Sequence, residues 1–250
     1  MNPGLKDDFL GKWGKYFGNA ELPVAFYYAD DDSGAEPVPP AKGWTCLVAQ
    51  LAKARNGSPL SFSADSIGCN GGKRFTGFSD SVIPGFDYFL SCGIEGKVRG
   101  ERYKRDPETV REWMKGHVKL PADGKKLVFK RWDRLASDDN PEVVIFFAKP
   151  DVLSGLFTLC NFDRADRNGV IAPFGSGCAA IVQLPWIEKG KESSCGVIGM
   201  FDPSARPYVK RDILTFAVPM KRFVEMISYM DESFLITETW SRLEKRINSD

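Results

Sequence analysis

PEVVIFFAKPD, residues 141–151, echoes PVAFYYADD, residues 23–31. Each is a proline followed by a short apolar run and then an acidic break. Such runs are the length of a buried strand and too short for a membrane span. The echo extends outward. Arg55-Asn56-Gly57, Gly68-Cys69, Ser91-Cys92-Gly93 and Lys104-Arg105-Asp106 recur in the same order as Arg167-Asn168-Gly169, Gly177-Cys178, Ser194-Cys195-Gly196 and Lys210-Arg211-Asp212. Four matches in register predict an internal duplication, and a period near 100 residues means paired half-domains rather than a solenoid.

Around these anchors the chain reads as strand, helix, strand, further strand and helix, twice over. Residues 4–18 predict an amphipathic helix, with Leu5, Phe9, Trp13, Tyr16 and Phe17 on one side. Residues 23–30 predict a strand, 30–40 a loop, 44–57 a helix, 59–69 a strand, about 86–92 another strand, and 107–115 a helix opened by Pro107. Residues 119–139 predict a connector holding one strand at 125–135. In the second half, 151–164 and 219–233 predict helices, 170–178 and 195–202 strands, and 179–186 either. Residues 238–250 predict a helix fraying into solvent. The expected fold is mixed α/β (α+β): an N-terminal helix at 1–19, one half at 20–118, the connector, and a second half at 140–250, packed as one compact unit. Helices between strands favour a mixed sheet with some parallel pairing. Whether the halves share that sheet stays open.

Composition narrows the function classes. Of 250 residues, 43% are hydrophobic and 27% charged, with a net charge of +1. That balance is ordinary for a globular chain and steers it toward neither nucleic acid nor membrane. Asp7 and Asp8 interrupt the N-terminal segment, so no signal peptide is expected and a cytoplasmic setting follows. There Cys46, Cys69, Cys92, Cys160, Cys178 and Cys195 are expected as thiols, and no C-x-x-C pair is present.

The strongest candidate site is Ser66, Gly68, Cys69, Gly71, Gly72, Lys73 and Arg74. A glycine-rich turn after a strand converges backbone N–H groups on an anion, and the two cations add charge. The same surroundings make Cys69 a candidate low-pKa nucleophile or redox thiol. The competing reading is a tight turn that needs glycine for backbone reasons. Ser176, Gly177 and Cys178 form the repeat partner and the opposite wall of an expected cleft. Arg102, beside Tyr103, and Arg206, near Tyr208, are second-tier charge partners, each able to grip a carboxylate or phosphate. Cys46, Cys69 and Cys178 are candidate ligands for a metal or iron–sulfur cluster, although no short loop supplies two of them. Cys92, Cys160 and Cys195 read as core, as do Trp44 and Trp186. His117, the lone histidine, reads as a capping or surface residue, and Asp30-Asp31-Asp32 as solvated.

IGCNGGKRFTGF (67–78), GERYKRDPE (100–108), EVVIFFAKPDVLSGL (142–156), PFGSGCAAIVQLP (173–185) and GMFDPSARPYVKRDILTFAVP (199–219) together resemble the uncharacterised ArCR proteins, domain of unknown function 169. The resemblance spans about residues 20 to 240. It implies a bacterial or archaeal family without an assigned activity, whose label refers to cysteine richness, and it supplies no catalytic roles and no cofactor. The expected function is binding of a small anionic ligand or cofactor between the two Gly-Cys turns. The alternatives are a cysteine-dependent enzyme or redox protein using Cys69, a metal-cofactor protein, and an interaction protein without a small ligand.

Overall fold

The computed structural model describes residues 1–249. Its elements are α1 (Pro3–Phe17), β1 (Val24–Ala29), β2 (Glu36–Pro37), α2 (Leu47–Arg55), β3 (Leu60–Phe62), α3 (Asn70–Phe75), α4 (Phe86–Phe89), α5 (Pro107–Met114) and β4 (Lys126–Arg131). There follow β5 (Val143–Ala148), α6 (Pro150–Leu159), β6 (Val170–Ile171), α7 (Leu184–Lys189), β7 (Gly196–Gly199), β8 (Leu214–Pro219), α8 (Met220–Tyr229) and α9 (Glu238–Ser249). Asp250, the last residue of the expected C-terminal helix, lies outside the described residues.

All eight strands form one mixed sheet in the order β2-β3-β4-β1-β5-β8-β7-β6. The order reads alike from both edges. Each outermost pair is parallel (β2 with β3, β6 with β7), every other pairing is antiparallel, and β1 meets β5 in the middle with Val24 opposite Ile145. The two halves therefore share one continuous sheet.

Helices cover both faces, and side-chain alternation assigns the strand residues to each. Ala25, Tyr27, Val144, Phe146, Phe216 and Val218 point into one core, where Phe9, Trp13 and Phe17 of α1 meet Phe223 of α8. Val24, Phe26, Val143, Ile145, Phe147 and Ala217 point into the other, against Leu47, Val48 and Leu51 of α2 and Ile181 and Val182. A strand buried on both faces needs apolar residues at every position, which is why VVIFFA shows no polar alternation. Each such Phe, Ile or Val contributes about 1.5–3 kcal/mol by leaving water.

Several expectations are corrected. Residues 86–89 are helical, because Phe89 N–H bonds Gly85 O across one turn at 2.8 Å and no strand lies beside them. The loop at 30–40 carries the edge strand β2. The expected strands at 59–69 and 170–178 shorten to β3 and β6, and residues 179–189 are helical, opening with a π turn at Ala179–Gln183. The connector holds β4, which pairs with β1 along six residues and belongs to the sheet. The sequence reading overlooked β8, whose neighbours are β5 and β7. Nor does α9 fray. Trp240 is buried, donates Nε1–H to Tyr16 O at 2.7 Å, and sits so close to Gly155 that a Cβ there would lie 2.4 Å from its ring.

The repeat register also shifts. Gly68-Cys69 follows β3, whereas Gly177-Cys178 follows β6, and the sheet order sets β6 against β2. The position matching Cys178 is Cys46, which precedes α2 as Cys178 precedes the π turn. Short cap-and-turn motifs recur wherever a strand hands over to a helix, so they report local geometry rather than sheet position. Among the described residues, no helix is long and apolar enough to cross a membrane.

Candidate functional site

The first Gly-Cys turn is built by close approach. Gly68 donates its N–H to Thr45 Oγ1 at 3.2 Å, and a Cβ at Gly68 would lie 2.1 Å from Gly43 O, so glycine alone fits. Cys69 caps α3, with its Sγ accepting Gly72 N–H at 3.4 Å. Gly72 is buried against Ile67, while a Cβ at Gly71 would make only ordinary contact with Cys69 and Phe75. Ser66 is spent locally, bonding Ser63 in both directions at 2.9 Å within the turn before α3. Lys73 is half-buried, and its ammonium makes no hydrogen bond or ion pair among the described residues.

The second turn is held by an acid. Gly177 donates N–H to Asp202 Oδ2 at 3.1 Å, and Ser176 Oγ accepts Ala179 N–H at 3.1 Å. The Met200 backbone beside it adopts φ 72°, a left-handed conformation unusual for a side chain of that bulk. Asp202 also takes the N–H and hydroxyl of Ser204 at 2.9 and 2.8 Å.

The turns meet, because α3 packs against the π turn at Ala179–Gln183. Cys46, Cys69 and Cys178 gather there with Asp202, close enough to feel one another's charge. Burial pushes the Cys178 thiol well up, and the neighbouring thiols and Asp202 push the same way. Burial also raises Cys46. Both therefore stay protonated at neutral pH and are poor nucleophiles. Among the described residues, no group of three or more His, Cys, Asp or Glu side chains is arranged to hold a metal ion.

Beside this junction lies a pocket of about 80 Å³, lined by Arg74 and Phe75 of α3, Trp113 of α5, His117, Phe174, Gln183, Leu184 and Ile187. One water needs about 10–15 Å³ on this measure, so a small organic molecule has room. The Arg74 guanidinium donates to Asp80 O, and this is its one hydrogen bond among the described residues. Burial lowers the guanidinium's pKa, partly offset by Asp80. His117 is held below its usual range, first by burial and then by the charge of Arg74. Trp113 and Phe174 meet edge to face at 5.8 Å, and the ammonium of Lys104 lies over both rings, 4.0 Å from Phe174 and 6.0 Å from Trp113.

The other expected residues are placed differently. Arg206 turns its guanidinium onto the carbonyls of Ile213, Lys210 and Arg211, locking its own loop. Arg102 is exposed with φ 57°, so the two arginines do not act as a pair. Its neighbour Tyr103 does reach Asp202 and Ser204 across the junction. Trp44 is 64% exposed and lies 6.0 Å from the ring of Tyr208, so it is not core. Cys160 is buried, Cys195 partly so, and Cys92 exposed. His117 is neither surface nor cap. Sequence reasoning passed over it as a site residue, along with Gln183, Trp113 and Phe174, because residues 113–117 lie about 60 residues before 174 and 183 in the chain. The one available signal was that His117 is the chain's sole histidine.

A family model for domain of unknown function 169, described as uncharacterised ArCR, matches residues 15–229. No curated protein and no solved structure matches the chain. The match covers all eight strands and the whole junction between the two turns, and on that basis the chain belongs to the uncharacterised ArCR family.

Proposed function

We propose that this protein binds a small anionic ligand in the pocket flanking the two Gly-Cys turns. The observation that carries the reading is Arg74. Its guanidinium is partly withdrawn from water at the wall of a largely apolar pocket, and no carboxylate is hydrogen-bonded to it. A desolvated cation without a bonded anion is unfavourable, and an incoming anion relieves that cost. Lys104 over Phe174, and Lys73, whose ammonium has no partner among the described residues, add positive potential nearby. In this reading the glycines at 68, 71 and 72 and the turn at Ser176-Gly177-Cys178 shape the walls and position Arg74, rather than cradling the anion through their own N–H groups. Those of Gly68, Gly72 and Gly177 already have acceptors. The test is thermal unfolding of the full chain against a panel of acetate, butyrate, phosphate and sulfate. At least one anion is expected to raise the midpoint in the wild type and to have no effect on Arg74→Gln.

A second reading rests on the thiol cluster. Cys46 and Cys69 are partly buried and Cys178 is buried, and burial pushes the thiols of Cys46 and Cys178 up. A redox or thiol-dependent activity would use Cys69 and be abolished in Cys69→Ser. A Cys69→Ser protein that keeps full anion binding favours the first reading.

A further inference from the structure

The side chain of Gln183 decides which nitrogen of His117 carries the proton. Gln183 is 5% exposed, and its Nε2 lies 2.7 Å from Val118 O and 2.9 Å from His117 Nδ1. A carbonyl can only accept, so the amide nitrogen, not the amide oxygen, must face Val118 O. Its second N–H then points at His117 Nδ1, which must present a lone pair. The proton of the neutral ring is therefore on Nε2. That atom is buried and meets no acceptor in the protein. His117 lines the same pocket as Arg74, and Arg74's charge is felt at its ring. A buried N–H without a partner is a vacancy for an acceptor.

The remaining walls fix what that acceptor is attached to. Phe86, Trp113, Phe174, Leu184 and Ile187 are apolar. Arg74 and His117 stand in the same lining. The Arg74 guanidinium, with the Lys104 ammonium over the lining rings of Trp113 and Phe174, calls for an anion, and the apolar walls call for an apolar body behind it. We propose that the ligand is a small organic monocarboxylate, with one oxygen on the Nε2–H of His117, the carboxylate held by Arg74, and its carbon skeleton between Trp113, Phe174 and Leu184. This rests on the anion-binding reading above and narrows it to one chemical class.

The lone histidine makes the test unambiguous. ¹⁵N-labelled full-length protein is followed by imidazole NMR while sodium butyrate, butyramide or inorganic phosphate is added. The free protein is expected to show the Nε2–H tautomer. Butyrate is expected to bind saturably and move the Nε2–H resonance downfield, with butyramide weaker by about tenfold or more, the size of one lost charged hydrogen bond. An Nδ1–H tautomer, or butyramide equal to butyrate, overturns the carboxylate assignment. Phosphate binding more tightly than butyrate overturns it too, while leaving anion binding intact. If no anion binds at all, the broader reading fails with it. His117→Asn is expected to weaken butyrate by about tenfold. Should that variant not fold, the wild-type tautomer and the butyrate-to-butyramide ratio still decide the matter.

Discussion

The Lys104 ammonium sits 4.0 Å from the ring centroid of Phe174, so a residue just before α5 is clamped onto the loop just after β6. Phe174 lines the Arg74 pocket, so the contact braces one of its walls. Phe174 is 51% exposed, which keeps the energy small, about 0.5–1 kcal/mol for a cation–π pair at such a site. Phe174→Leu should therefore lower unfolding stability by no more than about 1 kcal/mol in urea titration. It should weaken anion binding by more than that modest loss suggests, since it also opens the pocket wall. A Phe174→Leu protein with unchanged affinity would remove Phe174 from the site.

Two glycines three residues apart in the turn and helix start of α3 should behave oppositely. A Cβ at Gly68 would lie 2.1 Å from Gly43 O, a backbone atom that cannot swing away. Gly68→Ala is expected to cost about 2–4 kcal/mol or to prevent folding. At Gly71 the nearest atom to a new Cβ is Cys69 Sγ at 3.7 Å, ordinary contact, and the residue is helical. Gly71→Ala should be neutral or stabilise by about 0.5–1 kcal/mol. Denaturant midpoints of the two variants check this directly, and equal effects would contradict the close approach that builds the turn.

Acid sensitivity should trace in part to one ion pair. Arg222, with a side chain 3% exposed, is bonded by Asp163 and Glu225, and the Arg222 hydrogen bonds hold the Asp163 carboxyl down at about 2. An unfolded aspartate titrates near 3.9. The folded value is the lower one, so this stabilisation is full above about pH 4 and is lost as pH falls toward 2. Asp163→Asn should cost on the order of 1–3 kcal/mol at neutral pH, because Arg222 loses a charged partner while buried. The same variant should flatten stability against pH between about 4 and 2 relative to wild type. Urea unfolding across that range measures both effects.

Thiol labelling should follow burial. Cys92 is exposed, whereas Cys160 and Cys178 are buried with thiols pushed up by desolvation. Iodoacetamide at pH 7.5 should modify Cys92 first and leave Cys160 and Cys178 untouched until the protein unfolds, as read by peptide mass spectrometry. Rapid labelling of Cys178 in the folded protein would mean that the junction between the turns is open.

What could be read from the sequence was what local pattern encodes. The apolar run of β5, the amphipathic face of α1 and the proline that opens α5 each follow from neighbouring residues, and each is present. The brief strand β2, two residues long, carries too little pattern to register. Residues 86–89 mislead because a four-residue apolar run has no room to show its period. At the site, Arg74 was legible as a cation after a glycine turn. The pocket around it was not, since His117, Gln183 and Trp113 are brought together only by the packing of α3 and α5 against the helix at 179–189. The matched motifs fall at different places in the sheet for the same reason: they mark turns, and Gly68-Cys69 follows β3 whereas Gly177-Cys178 follows β6.

The most direct test of the account is calorimetric titration of small anions into the wild type and Arg74→Gln. Arg74→Gln shortens the side chain, keeps part of its hydrogen-bonding capacity and removes its charge. The expected result is saturable binding of one anion per chain, weakened by about tenfold or more in the variant. Binding that is equal in both proteins, or absent from a folded wild type, would contradict it.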